Sequence, residues 1–90
     1  MYRIVLTCNG VPKEVGKNAA LDIADEFTHR PWHKNLSCTW DGSRLVLQAE
    51  NDYDSDGKAL SDEFSDAIAA CITEGFNGKI TLESVTKIGK

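Results

Sequence analysis

The chain has 90 residues, 41% apolar and 27% charged, with a net charge of -4. That length sets one domain, residues 1–90, with a small core, and the composition excludes a disordered chain. The acidic balance argues against nucleic-acid backbone binding, which needs a basic surface, and no apolar run approaches the roughly 18 residues of a membrane span.

The opening stretch MYRIVLTCNG is too short in its apolar part for a signal peptide and reads at once as a strand over YRIVLTC, residues 2–8. Tyr2, Ile4, Leu6 and Cys8 share one face; Arg3, Val5 and Thr7 share the other. Asn9, Gly10 and Pro12 end it. A helix follows over roughly residues 14–29, with Ala20, Ile23, Ala24 and Phe27 at helical spacing and acids between them. Pro31 stops that helix, because proline lacks the N–H and restricts the residue before it.

The segments NLSCTW and SRLVLQAE flank Asp41-Gly42, the dipeptide favoured in two-residue hairpin turns. That turn places Trp40 opposite Ser43, Cys38 opposite Leu45 and Leu36 opposite Leu47. Thr39 then meets Arg44, and Ser37 meets Val46. After an acidic loop, Leu60, Phe64, Ala67, Ile68, Cys71 and Ile72 form the stripe of a second helix. It runs to about Glu74, with Gly75 as its cap. The last strand, KITLESV, alternates from Ile80 and Leu82 inward to Thr81, Glu83 and Val85 outward.

The order β-α-β-β-α-β is the ferredoxin-like split βαβ arrangement of an α+β domain. It predicts a four-stranded antiparallel sheet in the order 4-1-3-2, with both helices on one face. This architecture hosts many unrelated functions, so function has to be argued from sites.

The loop NDYDSDGKALSDE is the one motif with a chemical mechanism behind it. Asp52, Asp54, Asp56, Gly57 and Glu63 meet the D-x-[DN]-x-[DN]-G-x5-E pattern. Over residues 52–63 it resembles an EF-hand loop. That resemblance implies calcium held by the three aspartates, the Lys58 carbonyl and a bidentate Glu63. The loop is entered from a strand, however, and it has no second loop to pair with. Acids also gather at helix N-termini, where they complement the macrodipole, and Ser55 or Asp56 makes a good cap. The two readings differ in where the helix begins: near Gly57 for a cap, near Ser61 for a calcium loop.

Three weaker features remain. GVPKEVGKN resembles a phosphate loop but is one residue too long, which leaves Lys13 and Lys17 as a candidate small-anion or metabolite site at the first βα turn. His29 and His33 have zinc-ligand spacing, but Pro31 lies between them and no third ligand is near in sequence. Cys8, Cys38 and Cys71 are an odd set that suits reduced thiols and a cytoplasmic protein.

The open sheet face is the strongest candidate for an interaction site. Val5, Thr7, Thr39, Val46, Gln48 and Val85 form a mildly apolar centre with a polar rim, and no aromatic ring offers a stacking platform for RNA. The sequence therefore predicts a non-enzymatic cytoplasmic domain that binds a protein partner, or forms a homodimer, through that face. Nucleic acid, membrane and cofactors are not expected. A calcium-binding module at residues 52–63 is the alternative.

Overall fold

The computed structural model describes residues 1–72 and 78–89. Strand β1 is Tyr2–Cys8 and helix α1 is Lys13–Glu26, continued by a 3-10 turn at Phe27–His29. Strands β2 (Lys34–Trp40) and β3 (Leu45–Asn51) form the hairpin. Helix α2 is Lys58–Cys71 and strand β4 is Ile80–Lys87. The expected end of the second helix near Glu74 and its Gly75 cap lie outside the described residues. The sheet is antiparallel with the order β2-β3-β1-β4, which is 4-1-3-2 read from the other edge. No helix among the described residues is long and apolar enough to cross a membrane.

Period-two alternation builds the buried side of the sheet. Ile4, Leu6 and Cys8 of β1 and Leu45, Leu47 and Ala49 of β3 have no solvent exposure. Ala20 and Ile23 of α1 and Leu60, Phe64 and Ile68 of α2 close over them in one cluster. Each large apolar side chain buried this way contributes roughly 1.5–3 kcal/mol. Trp40, at the end of β2, lies flat against α1 at Gly16, where a Cβ would overlap its ring. Gly16 is thus a packing glycine inside the helix and does not belong to a phosphate-binding loop.

Two local features differ from the sequence reading. The hairpin pairs Trp40 with Leu45 and Cys38 with Leu47, so its connection is four residues long, not two. The Asp41 N–H donates to the Arg44 carbonyl at 3.1 Å. Its carboxylate accepts the backbone N–H groups of Ser43 at 2.9 Å and Arg44 at 2.8 Å. This side-chain mimic of a turn outcompetes the shorter Asp-Gly turn. The register slips by two positions, so every side chain keeps its predicted face.

The second difference is in β4. Val5 pairs with Ser84 but Leu6 pairs with Leu82, so Glu83 is an extra residue in the strand. Such a bulge resets the alternation. Val85 was expected on the open face; it pairs with Ile4 and packs on the helix side against the core.

Candidate functional site

The outer face of the sheet is built from three rows of cross-strand neighbours, centred on Arg3, Val5 and Thr7 of β1. Val5 sits opposite Gln48, and Thr7 sits opposite Val46. The two valines are therefore diagonal neighbours, still within contact range on a pleated sheet. Thr39 extends the Thr7 row from β2. Val5, Val46 and Gln48 are half-buried, Thr39 is exposed and Thr7 is buried. The structure thus brings together five of the six predicted face residues, and Val85 is the one it removes.

Paired charges bound this centre at both ends. At one end Arg3 Nε donates to Glu50 Oε2 at 3.0 Å, and Asn35 Nδ2 donates to Glu50 Oε1 at 2.8 Å. Asn35 reaches over Glu50 from a left-handed backbone conformation, φ 49°, which asparagine tolerates better than most residues. These bonds, Asn35 first and then Arg3, hold the Glu50 carboxyl below its ordinary value. At the other end Thr7 Oγ1 donates to Glu83 Oε2 at 2.8 Å, and Arg44 lies 3.6 Å from the same oxygen. Sequence reading missed Glu50 as a member of this face. Its partners Arg3 and Asn35 come from two other strands, and only the register brings them to it.

The acidic loop is organised around α2. Gly57, at φ 73°, precedes the helix, which is already formed at Lys58. Asp54 is buried, and its two carboxylate oxygens accept the N–H groups of Ala59 at 3.1 Å and Leu60 at 2.9 Å. Asp56 accepts the N–H of Lys58 at 3.0 Å. Asp54, and not Ser55, is therefore the principal cap. The EF-hand geometry needs the helix to begin near Ser61 so that Glu63 can close the loop. Here Glu63 lies in the second turn of α2 and accepts from Arg30 Nε at 3.2 Å. Asp52 is exposed. Among the described residues, no three His, Cys, Asp or Glu side chains are gathered closely enough to hold a metal ion.

Glu63 also meets His33, and this pair anchors a network that links the loop to the hairpin. Asn51 Oδ1 accepts the N–H groups of Tyr53 at 3.2 Å and Asp54 at 2.9 Å, which fixes the orientation of its amide. Asn51 Nδ2 then donates to His33 Nδ1 at 3.3 Å. The ring proton is thereby assigned to Nε2, which donates to Glu63 Oε1 at 2.9 Å. Both nitrogens of His33 are engaged and its side chain is fully buried, so neither is free to take a proton from a substrate. His29 is exposed and joins no such network.

Other chemistry is sparse. Burial pushes the Cys8 thiol up to about 11. Burial, with Cys71 and Cys8 nearby, pushes Cys38 up to about 12. Neither is a ready nucleophile at neutral pH. Lys13 and Lys17 are exposed on the first turns of α1, with Pro12 before them. A cleft of about 230 Å³ is lined by Ala24, Phe27, Thr28, Arg30, Pro31, His33 and Leu36. That is smaller than the roughly 300–1,000 Å³ of ordinary small-molecule sites.

Comparison with family models, curated proteins and solved structures finds no match for this chain. The residues themselves carry the functional reading.

Proposed function

We propose that this chain is a non-enzymatic module that binds a protein partner through the open face of its sheet. The observation that carries the reading is the character of that face. Among the described residues, helices cover only the other side, and Val5 and Val46 sit at its middle between charges that are already paired with one another. A surface whose ionic groups satisfy each other locally loses less on desolvation than one with free charges. The engaged state of both His33 nitrogens and the raised thiols of Cys8 and Cys38 support a binding role over catalysis. The free thiols fit a reducing compartment, and we place the module in the cytoplasm.

Site-specific photo-crosslinking in the native host tests this. A crosslinker at Thr39 or Gln48 is expected to capture one discrete protein, and one at Ser65 on α2 is expected to capture none. Val5→Glu and Val46→Glu should each abolish the product while leaving the melting temperature within a few degrees. Equal labelling from the helix side, or a product indifferent to both glutamates, would overturn the proposal.

A further inference from the structure

Strand β4 lies at one edge of the sheet, and among the described residues nothing pairs with its outer side. Two backbone bonds fix which of its groups point there. The Ile88 N–H donates to the Met1 carbonyl at 2.9 Å, and the Lys79 carbonyl accepts the Asn9 N–H at 3.2 Å. In an antiparallel ladder, inward and outward backbone groups alternate from such anchors. Counting from both ends across the bulge, Ile80, Leu82, Val85 and Lys87 present their N–H and C=O groups to the open edge. The same four lie on the helix side of the sheet, with Leu82 and Val85 beside Gly57. Leu82 is nevertheless 46% exposed.

We propose that this edge pairs antiparallel with the same edge of a second copy of the chain, joining two four-stranded sheets into one of eight. The bulge at Glu83 makes the edge self-complementary. In an unbroken strand, a two-fold axis between adjacent residues would bring opposite faces together. One inserted residue reverses that rule. An axis between Glu83 and Ser84 sets Leu82 opposite the second copy's Val85, and Ile80 opposite its Lys87. All of these residues have outward backbone groups and lie on the helix side. Thr81 then meets Thr86 on the open side. Leu82 and Val85 of both copies form one apolar cluster, which covers the exposed leucine.

No like charges stand directly opposite in this register, since Glu83 faces Ser84 and Lys87 faces Ile80. The other edge is less suited to pairing. The β2 register breaks between Lys34 and Ser37, and Asn35 holds a positive φ. A bulge alone does not separate the two edges, since β4 has one too; the left-handed residue inside β2 does, because it turns backbone groups out of the ladder. The pairing is independent of the open-face proposal, although it would make two open faces continuous.

Sedimentation velocity on the full chain over a wide concentration series, with amide exchange read by NMR, tests the proposal. A monomer–dimer equilibrium is expected. At low concentration the amides of Ile80, Leu82, Val85 and Lys87 should exchange freely, and at high concentration they should be protected. Those of Ser84 and Thr86 should be protected throughout. Leu82→Lys, at a half-exposed position, should weaken the dimer by about tenfold or more, because two symmetric cross-strand pairs are lost. Val5→Glu and Val46→Glu should leave the dimer intact, which separates this result from the open-face test. A monomer at every concentration, or a dimer in which the four outward amides still exchange freely, would overturn it. Protection that appears only when an extended peptide from another protein is added would likewise replace the second copy with a different occupant.

Discussion

Gly16 is the residue whose role is easiest to misread from sequence. It stands one position beyond where a phosphate loop would need a glycine, and it lies in α1 under the Trp40 ring. A helix interior prefers alanine by up to about 1 kcal/mol, so Gly16→Ala ought to stabilise an isolated helix. Here the added methyl must displace an indole, and overpacking of that kind costs about 1–3 kcal/mol. We expect the clash to win, with a melting temperature lowered by several degrees. Trp40→Leu should recover part of that loss in the double variant and none on its own. Additive losses would mean that the ring does not constrain this glycine. His33 teaches a related lesson. Its position was legible, but its partners Asn51 and Glu63 lie 18 and 30 residues downstream, and no local spacing announces them.

At the scale of elements, the start of α2 decides between a helix cap and an ion-binding loop. Both readings use Asp54, but they predict different dependences. As a cap, its two bonds to Ala59 and Leu60 hold the first turn, and Asp54→Ala should cost about 1–2 kcal/mol. For a domain of this size that lowers the melting temperature by roughly 4–8 °C per kcal/mol. We expect the same loss in calcium and in chelator. A wild-type protein stabilised by calcium but not by magnesium, with that gain absent in Asp54→Ala, would restore the EF-hand reading. The strands were largely legible, because alternation identifies faces without needing the exact register. The bulge in β4 was legible in principle: Ile80, Leu82 and Val85 are spaced by two and then three, where an unbroken strand would keep twos. The four-residue hairpin loop was not. Asp41-Gly42 satisfies the rule for a tighter turn, and the Asp41 carboxylate overrules it only once Ser43 and Arg44 are in place.

For the whole molecule, the order of elements was legible. Six segments of clear period admit few antiparallel arrangements, and the split βαβ order is among them. The polar bonds that tie those segments together follow from the register. Glu50 shows what they contribute. Because its carboxyl is held below 4.5 in the folded chain, the folded state is favoured above the unfolded value. That contribution falls away as pH drops through the lowered folded value. Thermal melts taken from neutral pH down past 4.5 should therefore show a steeper acid loss in the wild type than in Glu50→Gln. Parallel curves would assign the acid sensitivity to other carboxylates. Asp41 is also held down, at about 2, by the Ser43 and Arg44 N–H groups.

The place of β1 in the middle of the sheet also governs how the chain folds. The first strand made is flanked by two that come much later, Tyr2 meeting Asn51 on one side and Lys87 on the other. Neither ladder can begin until a long loop has closed, and the entropy of closure is lost before any pairing repays it. Helix α1 and the β2–β3 hairpin can form locally, but the sheet cannot join them while β1 waits. The chain should therefore fold more slowly than a helical bundle of equal length. Its rate-limiting step should be the capture of β1 by β3, so substitutions at Ile4 and Leu6 should slow folding more than those in α2.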